Sequence, residues 1–341
     1  MPRTGSILDT AYLAEQLVAI DSTSGREGAA IASLEAMLVA AGWFTTRIPV
    51  SVGRDNLYAR SVDAPCRVTL STHIDTVPPY IAPRRDNRIL YGRGSCDAKG
   101  IAAAMIVAAE RMRARGQAIG LLFVVGEEVT HDGAHAANAW AANNPPGSRA
   151  IINGEPTEST LALGTKGAVR VIARTTGQAA HSAYPHLGRS ATRDLAHLLA
   201  DLDALSLPSD GLLGDTTINI GSISGGVADN VVAPSAEARL MIRLATPIAT
   251  VRPIIERWAE GRATLEWGVM VPPMRLATVD GYKTSVAAFA TDIPELTNWG
   301  TPYLFGPGSI HVAHRDDEFV DLDELAAAAD SYERLAIQLN V

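Results

Sequence analysis

Histidine and carboxylate residues recur directly after apolar, β-prone segments of this 341-residue chain. They are His73 and Asp75 after segment 66–71, Glu127 and Glu128 after 119–125, and Glu155 after 150–152. In an open α/β sheet, sites gather outside the carboxyl ends of the strands, so these side chains are expected to converge. Imidazole nitrogens and carboxylate oxygens are zinc ligands. The spacing therefore predicts a metal site at one edge of a sheet.

Each of these signals has an ordinary alternative when it is taken alone. Asp97 precedes a predicted helix and could be its N-cap, a frequent position for aspartate. The two adjacent glutamates could be a solvated loop pair, and Glu155 could be a turn residue before Pro156. The apolar strand before the glutamate pair argues against the solvated loop, because it would carry both carboxylates to a sheet end. Together the residues are far less expected by chance than any one of them.

Two neighbouring metal ions would explain why so many carboxylates occur. Such a pair needs a bridging carboxylate and terminal ligands on each side, with a position left open for water. A further carboxylate, not bound to metal, must move a proton from the water to the leaving group. Glu127 and Glu128 can supply one ligand and one base, since successive residues of an extended chain point in different directions.

Composition and charge exclude several other classes of protein. The net charge of -8 and an aromatic content of 5% argue against a nucleic-acid groove. Cys66 and Cys96 form no CxxC pair and are expected to be reduced thiols. The N-terminal segment lacks a signal-peptide pattern, and apolar runs such as 101–109 are too short for a membrane span. We expect a soluble, cytoplasmic protein that binds neither membrane nor nucleic acid.

Helical and strand patterns alternate along the first half of the chain. The predicted helices and strands are 8–20, 27–41, 43–50, 56–60, 66–71, 100–116, 119–125, 131–142 and 150–152. This alternation predicts an α/β fold with a mostly parallel sheet and helices on both faces. The length of the chain favours two domains.

The pattern changes near Lys166 to the order β-α-β-β-α-β, which is the ferredoxin-like arrangement. Its segments are 168–175, 189–204, 216–223, 236–244, 249–260 and 263–270. After Pro272 and Pro273 we predict a helix at 283–290, short strands within 296–305 and a last helix at 321–337. The predicted catalytic domain is therefore 1–165 with 273–341, and 166–272 is an inserted α+β domain.

Six segments, taken together, resemble the acetylornithine deacetylase / succinyl-diaminopimelate desuccinylase / aminoacylase family of dinuclear zinc hydrolases. They are STHIDTVP (71–78), YGRGSCDAKG (91–100), GEE (126–128), NGEP (153–156), AHSAYP (180–185) and GPGSIHVAHRDDE (306–318). They occur in the family's order, span nearly the whole chain and are highly specific as a set. The last segment most resembles the acetylornithine deacetylase branch.

The resemblance implies a role for each residue of the metal site, with two zinc ions as the expected cofactors and cobalt as a possible substitute. The implied ligands are His73, Asp97 and Glu155 for one metal, with Asp97 bridging to a second metal held by Glu128 and His314. Asp75 would orient His73, and Glu127 would be the general base. A cis peptide is expected after Asp97. His314 is preferred to His311 because the family pattern places a glutamate, here Glu318, four residues later.

The resemblance also implies residues of the inserted domain. His181 would reach across a homodimer to stabilise the oxyanion, whereas the ordinary interpretation is a surface histidine. Arg243 and Asn230 would bind the substrate carboxylate, although Arg243 could instead form a salt bridge on the strand face. Gly308 would let the backbone approach the acyl group. The other histidines (His131, His135, His186 and His197) show no partner pattern.

The chain departs from the family in the short segment 76–91, which lacks a Trp-x-x-Asp-Pro-Phe feature, and in its compact length. Both affect substrate size rather than metal chemistry. We expect a zinc-dependent amidohydrolase that acts on linear amides of small N-acyl amino acids, such as N-acetylornithine, in arginine or lysine biosynthesis. A desuccinylase, an acetylcitrulline deacetylase or a dipeptidase would use the same residues, and a non-catalytic binding relative is the alternative from another class.

Overall fold

The computed structural model describes residues 8–340, and the chain divides into two compact units. The first comprises Met1–Leu163, Leu276–Ser285 and Thr291–Val341, and the second comprises Gly164–Arg275 and Val286–Ala290. The sequence had suggested boundaries after residues 165 and 272. The short segment Val286–Ala290 belongs to the second unit although it follows the return of the chain to the first.

Within the described residues, four α-helices and eight strands come first along the chain. They are α1 (Thr10–Val18), α2 (Gly28–Ala40), β1 (Phe44–Ser51), β2 (Arg54–Arg60), β3 (Val68–His73), β4 (Arg84–Asp86), β5 (Ile89–Tyr91), α3 (Lys99–Ala114), β6 (Gly120–Val124), α4 (Asp132–Asn143), β7 (Ala150–Asn153) and β8 (Leu161–Thr165). Next come β9 (Gly167–Thr176), α5 (Ala191–Ala200), β10 (Ser209–Asp210), β11 (Gly214–Asp215), β12 (Thr217–Gly225), β13 (Ser235–Leu244), α6 (Ile248–Ala259), β14 (Thr264–Val271) and β15 (Met274–Arg275). The chain ends with β16 (Thr284–Ala287), β17 (Thr301–Leu304), β18 (Phe319–Asp321) and α7 (Leu322–Leu339).

The main sheet of the first unit has the order β1-β2-β6-β3-β7-β17. The four strands from β6 to β17 are parallel to their neighbours, and β2 and β1 add an antiparallel edge. Every residue of β3, β6 and β7 is buried, as expected for strands covered on both faces. The predicted mostly parallel α/β sheet is confirmed.

Helix α3 forms the centre of the first unit's core. Its run Ile101–Ala109 is buried, and it packs between α1 and α7. Alanine occupies five of these nine positions, so neighbouring backbones can approach closely while the Ile, Met and Val side chains fill the remaining volume. This packing holds the start of α3, two residues after Asp97, in a fixed position.

The second unit contains a four-stranded antiparallel sheet of order β12-β13-β9-β14 with two helices. Its core lies between one face of this sheet and helices α5 and α6. The order of elements, β9-α5-β12-β13-α6-β14, is ferredoxin-like, and that prediction is confirmed. Strand β12 is at the edge of the sheet and is largely exposed, including Ile220 and Ile223.

One local prediction differs from the structure, and one segment has structure for which no prediction was made. The predicted helix at 283–290 is wrong: this segment contains strand β16, and the Leu161 amide donates to the Lys283 carbonyl at 2.8 Å. Thr284, Ser285 and Val286 are poor helix formers, so an available strand partner decides the conformation. Segment 76–91 also carries unpredicted structure, because β4 and β5 form a small antiparallel sheet with β18.

Within residues 8–340, none of the helices has the length and apolar character needed to cross a bilayer.

Candidate metal centre

Three neighbouring parallel strands deliver the predicted site residues. β3 ends at His73, β6 is followed by the glutamate pair, and β7 is followed by Glu155. Gly126 makes the turn after β6 with φ of +75°, and a Cβ there would lie 2.1 Å from Asp132 Oδ1. The turn therefore requires glycine, and it directs both following carboxylates towards the carboxyl edge of the sheet.

One ligand cluster consists of His73, Asp97 and Glu155, whose ligand atoms all lie within 4.8 Å of one another. All three residues are buried, and His73 Nε2 lies 2.9 Å from Asp97 Oδ1. Glu155 Oε1 is buried and has no hydrogen-bond partner among the described residues. A buried carboxylate oxygen without a partner is costly, and a cation beside it would satisfy it.

A second cluster consists of Asp97, Glu128 and His314, again with ligand atoms within 4.8 Å of one another. His314 Nε2 lies 3.0 Å from Glu128 Oε1 and 3.5 Å from Asp97 Oδ2. Asp97 thus faces one histidine with each carboxylate oxygen, which is the arrangement that a bridging ligand requires. The Asp97–Ala98 peptide bond is cis, as the resemblance implied.

The electrostatics of this region fit two cations. Burial raises the pKa of both Glu127 and Glu155 well above the usual range for glutamate. Hydrogen bonds to Asp97 and Glu128 raise the pKa of His314 to about 10. So many carboxylates in a small buried volume repel one another, and divalent cations would offset that repulsion. The donor set of imidazole nitrogens and carboxylate oxygens suits zinc.

Asp75 organises both His73 and the glutamate pair. Its main-chain carbonyl accepts a hydrogen bond from His73 Nδ1 at 2.9 Å, and its carboxylate lies 3.6 Å from the same atom. Because a carbonyl can only accept, Nδ1 carries the proton and Nε2 is left as the ligand atom. The Asp75 carboxylate also accepts the amide protons of Glu127 at 3.1 Å and Glu128 at 3.2 Å.

Glu318 holds the backbone around Asp97 in place, as Asp75 does for the glutamate pair. Its Oε1 accepts the amide protons of Gly94, Cys96 and Asp97 at 3.0, 3.1 and 3.1 Å, respectively. Its Oε2 accepts from Arg93 Nη1 at 2.8 Å, and both side chains are buried. In the sequence analysis, Glu318 was used only to choose His314 over His311 as a ligand. Its contacts span more than 220 residues, so local pattern carried no sign of them.

Two histidines that show no partner pattern in the sequence, His131 and His135, lie at the start of α4 and within it, and both contact carboxylates. His131 Nδ1 lies 2.7 Å from Asp292 Oδ1, and His135 Nδ1 lies 3.3 Å from Glu295 Oε2. Ligand atoms of Glu127, His131 and Asp292 form a third group within 4.8 Å of one another. Asp292 carries no sequence signal, because it lies in an irregular segment far from the glutamate pair.

The candidate residues of the second unit lie on a loop pair and a strand. His181 and Asn230 belong to neighbouring exposed loops, joined where the Ser182 amide donates to the Asn230 carbonyl at 2.9 Å. His181 Nδ1 accepts the Ala183 amide proton at 3.1 Å. Arg243 is half-buried on β13. The catalytic and substrate-binding roles of these residues stay predictions.

Gly308 has a structural reason to be glycine. Its φ is +77°, and a Cβ there would come within 2.6 Å of Cys96 Sγ. Its amide donates to Glu324 Oε1 at 2.9 Å, and its carbonyl accepts from the Glu158 amide at 2.8 Å. The predicted contact of Gly308 with an acyl group stays a prediction.

A mostly parallel sheet with two ligand clusters that share an aspartate defines a candidate dinuclear metallohydrolase. The sequence model described as Peptidase family M20/M25/M40 matches residues 69–338, and the chain belongs to this family. A relative from Aspergillus terreus named "Probable carboxypeptidase" is 39% identical, with 96% of this chain and 86% of the relative covered.

Solved structures share the fold. An M20 family metallo-carboxypeptidase from Sulfolobus solfataricus matches with a TM-score of 0.80 at 15% identity, over 97% of this chain and 99% of the other. A Bacillus subtilis protein described as a dinuclear metal binding peptidase from the M20 family matches with a TM-score of 0.72 at 16% identity, over 99% of each chain. Membership of the M20/M25/M40 family makes the chain a peptidase-like hydrolase. Because the Aspergillus terreus relative is named "Probable carboxypeptidase", the resemblance to the acetylornithine deacetylase branch is not confirmed.

Proposed function

We propose that this protein uses two divalent cations, with zinc as the expected metal, to hydrolyse a linear amide bond in a small substrate that carries a free carboxylate. The observation that carries the proposal is the pair of ligand clusters that share Asp97. Glu127 follows directly after the turn that Asp75 holds, beside the ligand Glu128. Family membership supports hydrolysis as the reaction class.

The ligands divide into two sets. His73, Asp97 and Glu155 would hold one cation, and Asp97, Glu128 and His314 the other. When bound, the cations would supply Lewis acidity to the scissile carbonyl and lower the pKa of the attacking water. Zinc and cobalt both suit these donors, so cobalt would be able to replace zinc at the two positions.

Glu127 would move the proton. It would take a proton from the attacking water and deliver it to the nitrogen of the departing amine as the amide bond breaks. Burial raises the pKa of its carboxyl group well above the usual range for glutamate, which makes it a stronger proton acceptor. A carboxylate with the usual glutamate pKa would hold this proton less readily during the transfer.

The second unit would contribute substrate and transition-state contacts. Arg243 and Asn230 would bind the substrate carboxylate, for which an arginine fork is well suited. His181 accepts the Ala183 amide proton through Nδ1, so its proton is on Nε2, available to donate to the developing oxyanion. We propose that His181 acts on the active site of a second copy, and the exposed edge strand β12 with Ile220 and Ile223 supports a homodimer.

The substrate class follows from these contacts. The carboxypeptidase name of the relative favours a dipeptide or an N-acyl amino acid with a free carboxylate. N-acetylornithine and a place in arginine or lysine synthesis remain within this class, as do N-succinyl and N-acetylcitrulline substrates. Cys66 and Cys96 are both free thiols, which supports a cytoplasmic location for the activity.

A hydrolysis panel tests the proposal. Purified protein loaded with zinc or cobalt is assayed on dipeptides and on N-acetyl, N-succinyl and N-acetylcitrulline substrates. Glu127→Gln is expected to lower kcat by about 10²- to 10⁴-fold while the metal content stays unchanged. Failure to bind metal and to hydrolyse any member of the panel would favour a non-catalytic binding protein. Full activity in Glu127→Gln would remove its role as base.

A further inference from the structure

A histidine–aspartate pair lies behind Glu127, outside the two clusters that share Asp97. Glu127, His131 and Asp292 each place one nitrogen or oxygen atom within 4.8 Å of the others. All three belong to the first unit. A separation of this size suits a hydrogen bond to Glu127 that is bridged by a single water.

Asp292 fixes the imidazole of His131. The 2.7 Å contact joins His131 Nδ1 to Asp292 Oδ1, so the proton on Nδ1 is donated to the carboxylate. Nε2 is then the ring atom free to interact with a further group. His131 is 9% exposed and Asp292 is 1% exposed, which restricts rotation of both side chains.

The His131–Asp292 pair has features that cost folding free energy, which a purely structural contact would not require. The second oxygen of Asp292, Oδ2, is buried and has no hydrogen-bond partner among the described residues. His131 has φ of +55°, a conformation that glycine or asparagine adopts more easily. A buried ionic pair of this kind often adds no net stability over apolar residues of the same volume. Strain and an unsatisfied polar atom together suggest a functional reason for the pair.

The loop between Glu127 and His131 is a tight turn that is closed by a backbone hydrogen bond. The His131 amide donates to the Gly126 carbonyl at 2.8 Å, which closes a tight turn around the two glutamates. Helix α4 begins directly after His131 and is anchored in the core by Ala134 and Ala137. His131 is therefore held by the backbone on one side and by Asp292 on the other.

We propose that His131, held by Asp292, is a positioning residue that fixes the Glu127 carboxylate in the orientation needed for proton transfer. The inference rests on the proposed role of Glu127 as base. It goes further because it assigns to His131 and Asp292 a contribution to turnover that neither metal cluster provides.

Variants at the pair separate the imidazole from the backbone. His131→Gly removes the ring and tolerates φ of +55°, so the loop is expected to keep its shape. We expect kcat to fall about 10- to 100-fold, with KM and metal content nearly unchanged. Tm should also fall, because Asp292 is left buried without the imidazole. Asp292→Asn should lower kcat similarly, and the double variant should be no worse than either single variant, because the two residues act as a unit.

His135→Ala is the matched control. His135 lies one turn further along α4 and pairs with Glu295, but its side chain is 57% exposed. Its kcat is expected to equal that of wild type. Imidazole added to His131→Gly should restore part of kcat without restoring Asp292→Asn, whereas a purely structural role would give no rescue.

An NMR measurement can detect the contact between His131 and Glu127 without an activity assay. In protein with ¹⁵N-labelled histidine, Glu127→Gln should shift the His131 ring resonances and leave those of His135 in place. Unchanged kcat in His131→Gly, with active wild type and His135→Ala, would overturn the inference and leave the proposed function intact. A third metal equivalent that binds to wild type and is lost in Asp292→Asn would overturn it in favour of a cation site. An inactive wild type would instead count against the proposed function, and the resonance shift would then decide the contact alone.

Discussion

Asp75 and Glu318 are buried carboxylates that organise the candidate ligands through main-chain amides. Asp75 accepts the amide protons of both residues of the glutamate pair, and Glu318 accepts those around Asp97. A carboxylate that accepts several amide protons fixes backbone position more rigidly than a side-chain contact to the ligand alone. The positions of the ligands thus depend on residues that lie in neither metal cluster.

Glu318→Gln is expected to weaken both folding and metal binding. Loss of the negative charge leaves the guanidinium of Arg93 buried without its negatively charged partner, at a cost of about 3–5 kcal/mol in the free energy of unfolding. Metal affinity should fall about 10- to 100-fold because the loop that carries Asp97 loosens. Urea unfolding and competition with a chelator measure the two effects.

Asp317→Asn provides the control for Glu318→Gln. Asp317 is the preceding residue, and its pair with Arg315 is exposed. We expect both the unfolding free energy and the metal affinity of this variant to stay near those of wild type. If Glu318→Gln matched Asp317→Asn in metal affinity, the Glu318 contacts would have no part in holding Asp97 in place.

The sequence could predict which residues approach a common site, but not all of their supports. His73 ends a strand, and Glu128 and Glu155 follow strands, so the apolar strand segments alone predicted that they lie at one edge. The contact between His131 and Asp292 joins residues 161 positions apart, and no local periodicity encodes such a pairing. Structure was needed to find the supports because they depend on how distant loops pack.

At the scale of elements, one arginine joins three pieces of the first unit. Arg54 on β2 donates two hydrogen bonds of 3.0 Å to Glu27 at the start of α2. It also donates to Asp132 at the start of α4 at 2.6 Å. The Glu27 carboxylate is fully buried, so this contact is a buried ion pair rather than a surface one. Helix α4 follows the glutamate turn, so Arg54 also stabilises the position of that turn.

Arg54→Ala is expected to destabilise the protein by about 3–5 kcal/mol, because it leaves the Glu27 carboxylate buried without a partner. Arg47→Ala is the matched control on the neighbouring strand β1, where the arginine is exposed and pairs with Glu35 and Asp55. Its cost should be about 1 kcal/mol or less. Equal unfolding free energies for the two variants would contradict the assigned importance of the buried pair.

The contact between Arg54 and Asp132 predicts that the stability contributed by Arg54 depends on pH. Burial raises the pKa of Asp132, but its hydrogen bonds with Arg54 outweigh this, so the folded pKa lies below the usual 3.8. A lowered folded pKa contributes stability above the unfolded pKa, and that contribution is lost as the pH falls through the folded value. The difference in unfolding free energy between wild type and Arg54→Ala should therefore narrow below about pH 4. A gap that widened in acid would contradict this assignment.

Strand and helix patterns were predictable where one element's own residues decide its conformation. The apolar run of β6 and the alanine-rich α3 are examples, because burial on all sides leaves a clear signal. Strand β16 was mistaken for a helix because its conformation depends on hydrogen bonds with distant residues. The three short strands of the β18-β5-β4 sheet were not predicted for the same reason.

At the scale of the whole molecule, the insertion of one folding unit into another was visible in the order of elements. The ferredoxin-like order is complete between β9 and β14, and Pro272 and Pro273 follow it directly. The second unit has its own core between the sheet and two helices. A unit that satisfies its own core can present an edge strand of its sheet, such as β12, to another chain without loss of packing.

Mixing two inactive variants tests whether His181 acts in a second copy of the chain. Glu127→Gln and His181→Ala are each expected to be nearly inactive as homodimers. In a mixed dimer, the chain with intact Glu127 receives intact His181 from its partner, so one of the two active sites is complete. After unfolding and refolding an equal mixture, about a quarter of the wild-type activity per chain should return, because about half of the dimers are mixed. A mixture of Glu127→Gln with Glu127→Gln/His181→Ala contains no intact base and should stay inactive. If the first mixture recovered no activity while refolded wild type did, His181 would act within its own chain or not at all.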